Sequence, residues 1–151
     1  GTIARSVLAH GGKVTGVIVD TGFLVALFRP AERLRGPARE FLRDNRHPLL
    51  TATPVIVETC FFLKPEGKAR LLEWVERGAI SVAEVPTPAY PDLRNLFRKY
   101  ADHDIDFADA AIVWLAEKTG CRNVLTVDVR NFSAFRLGKG KRFELVKWFE
   151  A

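Results

Sequence analysis

Short apolar runs alternate along this chain with longer segments whose apolar residues recur at helical spacing. The runs are rich in Val, Ile and Leu, and we predict buried strands over residues 16–20, 48–52, 79–85, 123–128 and 142–149. In the segments between these runs, apolar residues recur at helical spacing. They predict helices over residues 21–29, 31–45, 53–63, 65–78, 87–101 and 106–120. Strands that alternate with helices form a parallel sheet with helices on both faces. The sequence therefore predicts an α/β, three-layer fold around a central, mostly parallel five-stranded sheet.

Two of the predicted strands end in aspartate. Asp20 closes the run "GVIVD" and Asp128 closes "NVLTVD". In open α/β sheets, ligands bind in the crevice beyond the carboxyl ends of the strands, so we expect both side chains to project into that crevice. An aspartate directly before a helix is also a common N-cap, and for Asp20 taken alone the two interpretations are equally good.

A single carboxylate, Glu58, interrupts the apolar segment "TPVIVETCFF". Thr53 can cap a helix there, and Pro54 suits its first position. Because this helix is apolar nearly all round, we predict that it is buried. An ionised, unpaired carboxylate is costly in such a place, so a proton, an arginine or a metal ion must compensate Glu58.

Two further acids begin the segment "DFADAAIVWLAE". Asp106 can cap the predicted helix, and Asp109 follows three residues later, a spacing that resembles a capping box. Capping is the better interpretation of Asp106. Asp109 has apolar neighbours on both sides, and its helix leads directly into the strand that ends at Asp128. The start of this helix can therefore lie at the same crevice.

Four acids thus come from four separate segments, namely Asp20, Glu58, Asp109 and Asp128. Carboxylates about 4 Å apart repel by roughly 4 kcal/mol per pair at an effective dielectric constant near 20. Such a group holds either protons or a cation. No His or Cys cluster accompanies it, and oxygen ligands suit Mg²⁺ or Mn²⁺. The formal net charge of +5 favours a polyanionic partner, so metal-assisted hydrolysis of a phosphodiester is the natural reaction.

The remaining composition narrows the class of protein. Cys60 and Cys121 form no CxxC or Cys/His metal-binding motif. We therefore expect both to be reduced thiols of a cytoplasmic protein. No apolar run approaches the length of about 20 residues that a membrane span needs. Residues 1–16 lack the apolar core of a signal peptide, and the chain contains no Met. We expect residues 1–16 to be an N-terminal extension, processed or derived from an expression vector, outside a domain at 17–150.

These residues resemble the PIN domain and, within it, the VapC-type toxins of prokaryotic toxin–antitoxin pairs. The resemblance spans about residues 17–149 and rests on "VIVDTGFLVALF", "TPVIVETCFFL", "YADHDIDFADAAIVWLAE" and "VLTVDVRNF". It implies a Rossmann-like, PIN-like fold and cleavage of RNA that depends on Mg²⁺ or Mn²⁺. It also implies that the four acids named above are the catalytic, metal-binding residues.

The resemblance extends to residues around these acids. Thr21 and Thr126 match hydroxyl positions near the family's site, and Asp102 matches a further acid of many such toxins. Asp106 is an extra carboxylate without an assigned role. Arg130 is the nearest basic candidate for gripping the RNA backbone, or else a surface arginine.

The same resemblance implies protein partners, a second copy in a homodimer and a small antitoxin that blocks the cleft. Apolar side chains of the first two helices can supply these contacts or can simply pack in the core. They are Phe23, Leu24, Leu27, Phe28, Leu34 and Phe41.

Three other functions compete with the ribonuclease. The main alternative is a non-catalytic PIN-like module that binds RNA or protein, although such a module has little reason to keep four costly acids together. A haloacid-dehalogenase-like phosphatase needs a second Asp two residues after the first, and position 22 is Gly. A structure-specific DNA nuclease needs insertions that this short chain lacks.

Overall fold

Five short parallel strands form the centre of the molecule, which a computed structural model describes over residues 16–150. They are β1 (Val17–Val19), β2 (Leu49–Ala52), β3 (Ser81–Ala83), β4 (Asn123–Leu125) and β5 (Glu144–Leu145). The strand order is β3-β2-β1-β4-β5, and all four pairings are parallel. The predicted α/β architecture and five-stranded sheet are confirmed.

Seven α-helices connect these strands within the described residues. They are α1 (Thr21–Phe28), α2 (Arg35–Asp44), α3 (Thr53–Phe61), α4 (Pro65–Glu76), α5 (Tyr90–Lys99), α6 (Phe107–Thr119) and α7 (Val129–Ala134). Helix α1 packs against α2, α3 and α4, and α6 packs against β2, α3 and α5. None of the described helices is both long enough and apolar enough to cross a bilayer.

The sheet and α6 form the middle of the hydrophobic core. All residues of β1 and β2 are buried, and so are most residues of α6, from Ala108 to Thr119. Beside β4 and β5, the rings of Phe132, Phe135 and Phe143 pack edge to face. Each buried aromatic side chain contributes about 1.5–3 kcal/mol, so this cluster fixes the segment that follows β4.

Thr53 does not cap α3. Ala52 occupies the N-cap position, and the Thr53 hydroxyl donates a hydrogen bond to the Ala83 carbonyl instead.

Two further sequence-based expectations about the elements are wrong. Helix α3 is not buried on all sides, since Val57 is 50% and Phe61 79% exposed. Only one side of α3 contacts the sheet and the neighbouring helices, and periodicity cannot reveal which apolar residues lack a partner. The last strand is limited to Glu144–Leu145 rather than 142–149, because Trp148 turns into the core and donates a hydrogen bond to the Thr126 carbonyl.

The apolar side chains of the first two helices belong mainly to the core. Phe23 and Leu24 are fully buried, whereas Leu27, Phe28, Leu34 and Phe41 are half-buried against the core. Core packing therefore accounts for Phe23 and Leu24. The expectation about the N-terminal extension concerns residues that lie, apart from Gly16, outside the described residues.

Candidate active site

Acidic residues collect beyond the carboxyl edge of the sheet. Strands β1, β2 and β4 are parallel neighbours, so the segments that leave them start on the same side. Asp20 follows β1 and is only 6% exposed. Its carboxylate makes no hydrogen bond that caps α1, so capping does not explain this residue. Its Oδ2 atom instead accepts a hydrogen bond from Thr126 Oγ1 at 2.7 Å.

Thr126 links the two aspartates that follow the central strands. Its hydroxyl donates to Asp20 and accepts a hydrogen bond from the Asp128 backbone N–H at 2.9 Å. The Asp128 carboxylate caps α7 by accepting from the Asn131 backbone N–H. The hydroxyl of Thr126 therefore sets the distance between the β1 and β4 ends of the site.

Glu58 reaches the same edge from the second half of α3. Thr21 Oγ1 donates a hydrogen bond of 2.5 Å to Glu58 Oε1, which joins α3 to the first residue of α1. The side chain of Asp106 lies close enough to Glu58 to raise the pKa of the Glu58 carboxyl. Among residues 16–150, no arginine pairs with Glu58, and its carboxyl group accepts a hydrogen bond from Thr21 instead.

Asp106 and Asp109 form a reciprocal capping box at the start of α6. Asp109 N–H donates to Asp106 Oδ1 at 2.9 Å, and Asp106 N–H donates to Asp109 Oδ2 at 3.2 Å. The expected capping box is confirmed. Asp106 is more than a cap, because it also raises the pKa values of Glu58 and Asp109.

Burial and mutual repulsion raise the pKa of three of these acids. Burial, with the charges of Asp128 and Asp106, raises the pKa of Asp20 to about 6. Burial and the hydrogen bond with Asp106 raise the pKa of Glu58 to about 7. Burial, with the charges of Asp106 and Asp20, raises the pKa of Asp109 to about 8. Burial also opposes ionisation of Asp106, but hydrogen bonds from Glu58 and from backbone N–H groups lower its pKa.

Among the residues that the structure describes, no basic side chain forms an ion pair with this group. The ion pairs formed among residues 16–150, such as Arg29–Glu32 and Arg122–Glu144, include none of the five acids. Acids that raise one another's pKa without a cationic partner are the electrostatic signature of a cation site or of a proton-sharing cluster.

The donor set fits a hard divalent cation. Within the part of the chain that the structure describes, no three His, Cys, Asp or Glu side chains converge into a ready-made metal cage. Mg²⁺ does not need one, because it keeps several waters and binds through one or two carboxylates. The carboxylate oxygens beside the Thr21 and Thr126 hydroxyls match that preference, and the lack of sulfur or imidazole among them disfavours Zn²⁺.

The structure does not bring the two remaining candidates into this group. Asp102 lies exposed in a 3₁₀ turn at Ala101–His103, and Arg130 is exposed on α7. Neither side chain is hydrogen-bonded or ion-paired to the acids within residues 16–150. Both expected contributions remain predictions.

Sequence reasoning missed one polar residue beside the acids. Asn131 contacts Asp128 through its backbone and its side chain, and also contacts His103. The spacing of Asp128 and Asn131 is that of an N-cap and the third helical residue, but α7 was not predicted. No local signal connects His103 to this site, since it lies 28 residues away.

Two grooves lie on the surface, and the first of them borders the acids. The first, of about 440 Å³, has Glu58 and Asp106 in its wall and is otherwise mainly apolar, with Val57, Tyr90 and Phe107. The second, of about 770 Å³, lies between α1, α2 and α4 and has an apolar floor. Its rim carries the basic residues Arg29, Arg35, Arg39, Lys64 and Arg70, with Glu66 as the acidic exception.

A parallel sheet with carboxylates beyond its carboxyl edge is typical of α/β proteins that bind a ligand at that edge. Comparisons with known proteins identify the family. A model of the PIN domain matches residues 17–136. Ribonuclease VapC26 of Mycobacterium tuberculosis is 29% identical over 134 residues, which cover 86% of this chain and 99% of that protein.

A solved structure extends the comparison. The crystal structure of Mycobacterium tuberculosis VapC20, a Sarcin-Ricin loop cleaving toxin, matches with a TM-score of 0.67 and 18% sequence identity. The match covers 72% of this chain and 87% of that one, and it shows the shared fold. The family model matches well over half of this chain, and the chain therefore belongs to the PIN domain family.

Proposed function

We propose that this chain is a divalent-metal-dependent endoribonuclease, the VapC-like toxin of a toxin–antitoxin pair, which acts on RNA in the cytoplasm. The observation that carries the proposal is the group of acids at the carboxyl edge. Burial and neighbouring acids raise the pKa values of three of them, and none of them forms an ion pair among residues 16–150. Membership of the PIN domain family and the likeness to a VapC ribonuclease support it.

The acids have separate roles in this proposal. Asp20, Asp109 and Asp128 hold one or two Mg²⁺ or Mn²⁺ ions, and Glu58 binds directly or through water. When bound, such an ion supplies an acidic water and neutralises charge on the scissile phosphate. Thr126 and Thr21 hold the carboxylates of Asp20 and Glu58 in place by their hydroxyl hydrogen bonds.

Asp106 completes the acid group. Its hydrogen bond with Glu58 stabilises the protonated form of Glu58 while no cation is near. Binding of a cation favours the ionised form of every acid around it, so the shared proton is expected to leave.

Cleavage assays test the function directly. Asp20→Asn and Asp109→Asn should abolish Mg²⁺- or Mn²⁺-dependent RNA cleavage and leave circular dichroism unchanged. Asp44→Asn is the matched control, since Asp44 is exposed at the end of α2. Full activity of both site variants would contradict the assignment of the acids. Metal binding without any cleavage would favour the non-catalytic RNA- or protein-binding module instead.

Mapping the cut identifies the substrate. Total cellular RNA is sequenced for new ends after induction of the wild-type chain and, separately, of Asp20→Asn. Discrete ends that depend on Asp20 would identify the RNA and the sequence that is cleaved. Identical end profiles from the two chains would contradict the ribonuclease proposal.

The second groove suits the proposed antitoxin. Its apolar floor includes Phe28, Leu42 and Trp74, and five basic residues line its rim. An amphipathic segment with acidic flanks would satisfy both features. An arginine carried by such a segment could then pair with the acids in place of the metal.

The first groove suits the proposed homodimer. Val57, Tyr90 and Phe107 lie in it together, and each is more than a third exposed. Contiguous apolar side chains at a surface are commonly covered by another protein.

A further inference from the structure

One residue holds both carboxylate oxygens of Asp128. The Asn131 backbone N–H donates to Asp128 Oδ1 at 3.1 Å, and Asn131 Nδ2 donates to Asp128 Oδ2 at 2.9 Å. A carboxylate bound at both oxygens by one neighbour loses its freedom to rotate. The backbone bond is ordinary helix capping, whereas the side-chain bond is an additional constraint on the direction of the carboxylate.

The orientation of the Asn131 amide follows from its partners. The NH₂ group must face the carboxylate, which only accepts hydrogen bonds when ionised. The Oδ1 atom then faces His103 Nδ1 at 3.0 Å and can only accept. The hydrogen bond therefore requires a proton on His103 Nδ1. His103 thus donates to Asn131, and Asn131 donates to Asp128.

The same two segments are joined a second time. The Tyr100 hydroxyl accepts a hydrogen bond of 2.8 Å from the Arg136 backbone N–H, and the rings of Tyr100 and Phe135 pack edge to face. The turn at Ala101–His103 leads into Asp106 and Asp109 at the start of α6. These contacts therefore tie the α6 acids to the segment that carries Asp128.

We propose that Asn131 and His103 are positioning residues, in which His103 orients the Asn131 amide and Asn131 fixes the Asp128 carboxylate in the direction that metal binding requires. The inference rests on the proposed function, because it assigns the metal site to these acids. Neither residue contacts the substrate or the reacting atoms in this scheme. Polar partners of metal ligands typically change metal affinity by roughly 10- to 100-fold when they are removed.

The test measures Mn²⁺ affinity of the full chain without RNA, by isothermal titration calorimetry and electron paramagnetic resonance. We expect Asn131→Ala and His103→Ala each to weaken Mn²⁺ binding by about 10-fold or more. His103→Asn should restore most of the affinity, because its amide places an N–H donor near the position of Nδ1. The exposed residues Asn95 and His47 supply the controls Asn95→Ala and His47→Ala, which should bind as the wild type does.

A double variant separates positioning from a general loss of structure. If His103 acts only through Asn131, the double variant should bind Mn²⁺ no more weakly than Asn131→Ala alone. Additive losses, or an affinity of His103→Asn as low as that of His103→Ala, would overturn the proposal. Nitrogen NMR of the His103 ring should show the proton on Nδ1, and a neutral ring protonated only at Nε2 would also overturn it.

The outcomes distinguish this inference from the proposed function. If Asp20→Asn weakens Mn²⁺ binding while the Asn131 and His103 variants bind normally, the positioning roles fail and the metal site stands. If the wild type shows no Mn²⁺ binding that depends on Asp20, the proposed function fails, and the positioning roles fail with it.

Discussion

Thr126 shows how much of the site depends on one hydroxyl group. It donates to the buried carboxylate of Asp20 and accepts from the backbone of Asp128, so it serves both sides of the site. The hydrogen bond from Thr126 opposes the effect of burial on the pKa of Asp20. An unpaired polar group costs about 1–3 kcal/mol when it is buried.

Thr126→Val removes the hydroxyl and keeps the shape. We expect the pKa of Asp20 to rise further above 6, because the carboxylate loses its hydrogen-bond donor. We also expect the free energy of unfolding to fall by about 1–3 kcal/mol. Carbon-detected NMR titration of Asp20 and urea unfolding measure these changes. The exposed Thr87 provides the control Thr87→Val, and an unchanged Asp20 titration in Thr126→Val would refute the expectation.

The raised pKa values also predict how pH affects stability. Asp20, Glu58 and Asp109 have pKa values of about 6, 7 and 8 in the folded chain, whereas unfolded carboxyl groups titrate near 4. Between these limits the folded chain binds more protons than the unfolded chain, so the free energy of unfolding falls as the pH rises. Below about pH 4 both states are protonated and this contribution no longer changes.

Thermal unfolding in EDTA from pH 4 to pH 8.5 measures this dependence. We expect the melting temperature to decrease toward pH 8.5, less steeply in Asp109→Asn, which lacks the acid with the highest pKa. Added Mg²⁺ should stabilise the chain most at the alkaline end, where the acids are ionised. A melting temperature that rises from pH 5 to pH 8 in EDTA, in equal measure for both chains, would contradict the expectation.

At the scale of elements, the site depends on the contact between the first turn of α1 and the loop after β4. A Cβ atom added at Gly22 would collide with the Cγ atoms of Val127, the residue before Asp128. Gly22 therefore allows the two strand-end segments, which carry Asp20 and Asp128, to approach each other. Its small size is needed for close approach rather than for an unusual backbone conformation.

Gly22→Ala should push the Val127 loop away from α1. Overpacking of this kind lowers the free energy of unfolding by about 1–3 kcal/mol. It should also change the distance between Asp128 and Asp20. Gly36→Ala is the matched control, because Gly36 lies in α2 with nothing near its Cβ position. That change should stabilise α2 by about 0.5–1 kcal/mol. Urea unfolding and Mn²⁺ titration of both variants measure the difference, and equal effects would rule out the close contact.

At the scale of the whole molecule, acidic and basic residues lie at different grooves. The acids lie at the carboxyl edge of the sheet, although the whole chain carries a formal net charge of +5. The basic rim surrounds the second groove, and the exposed apolar side chains of α3 and α5 line the first groove. Such a division is consistent with different partners for the two grooves.

The proposed homodimer can be tested through the first groove. Val57→Lys combined with Tyr90→Lys places two charges on the apolar face, and we expect the chain to sediment as a monomer. The wild type should sediment as a dimer at micromolar concentration. Leu72→Lys is the control, because Leu72 is 48% exposed on α4 and lies in neither groove. Dimers of equal stability in all three chains would place the interface elsewhere.

Local patterns in the sequence determined much of the fold and part of the site. The alternation of apolar runs with helical spacing predicted the parallel sheet, because both signals depend on neighbouring residues. The positions of Asp20 and Asp128 after their strands, and the capping box of Asp106 and Asp109, followed for the same reason. The metal-binding roles of the four acids came from the family resemblance and remain a proposal.

Only the tertiary structure decided the features that join distant segments. The hydrogen bond from Thr126 to Asp20 spans 106 residues, and those from Thr21 to Glu58 and from His103 to Asn131 span 37 and 28. The short helix α7 and the exposed side of α3 were likewise invisible to periodicity. Hydrogen-bond partners and burial depend on which segments contact each other in the folded chain. Local patterns in the sequence do not indicate these long-range contacts.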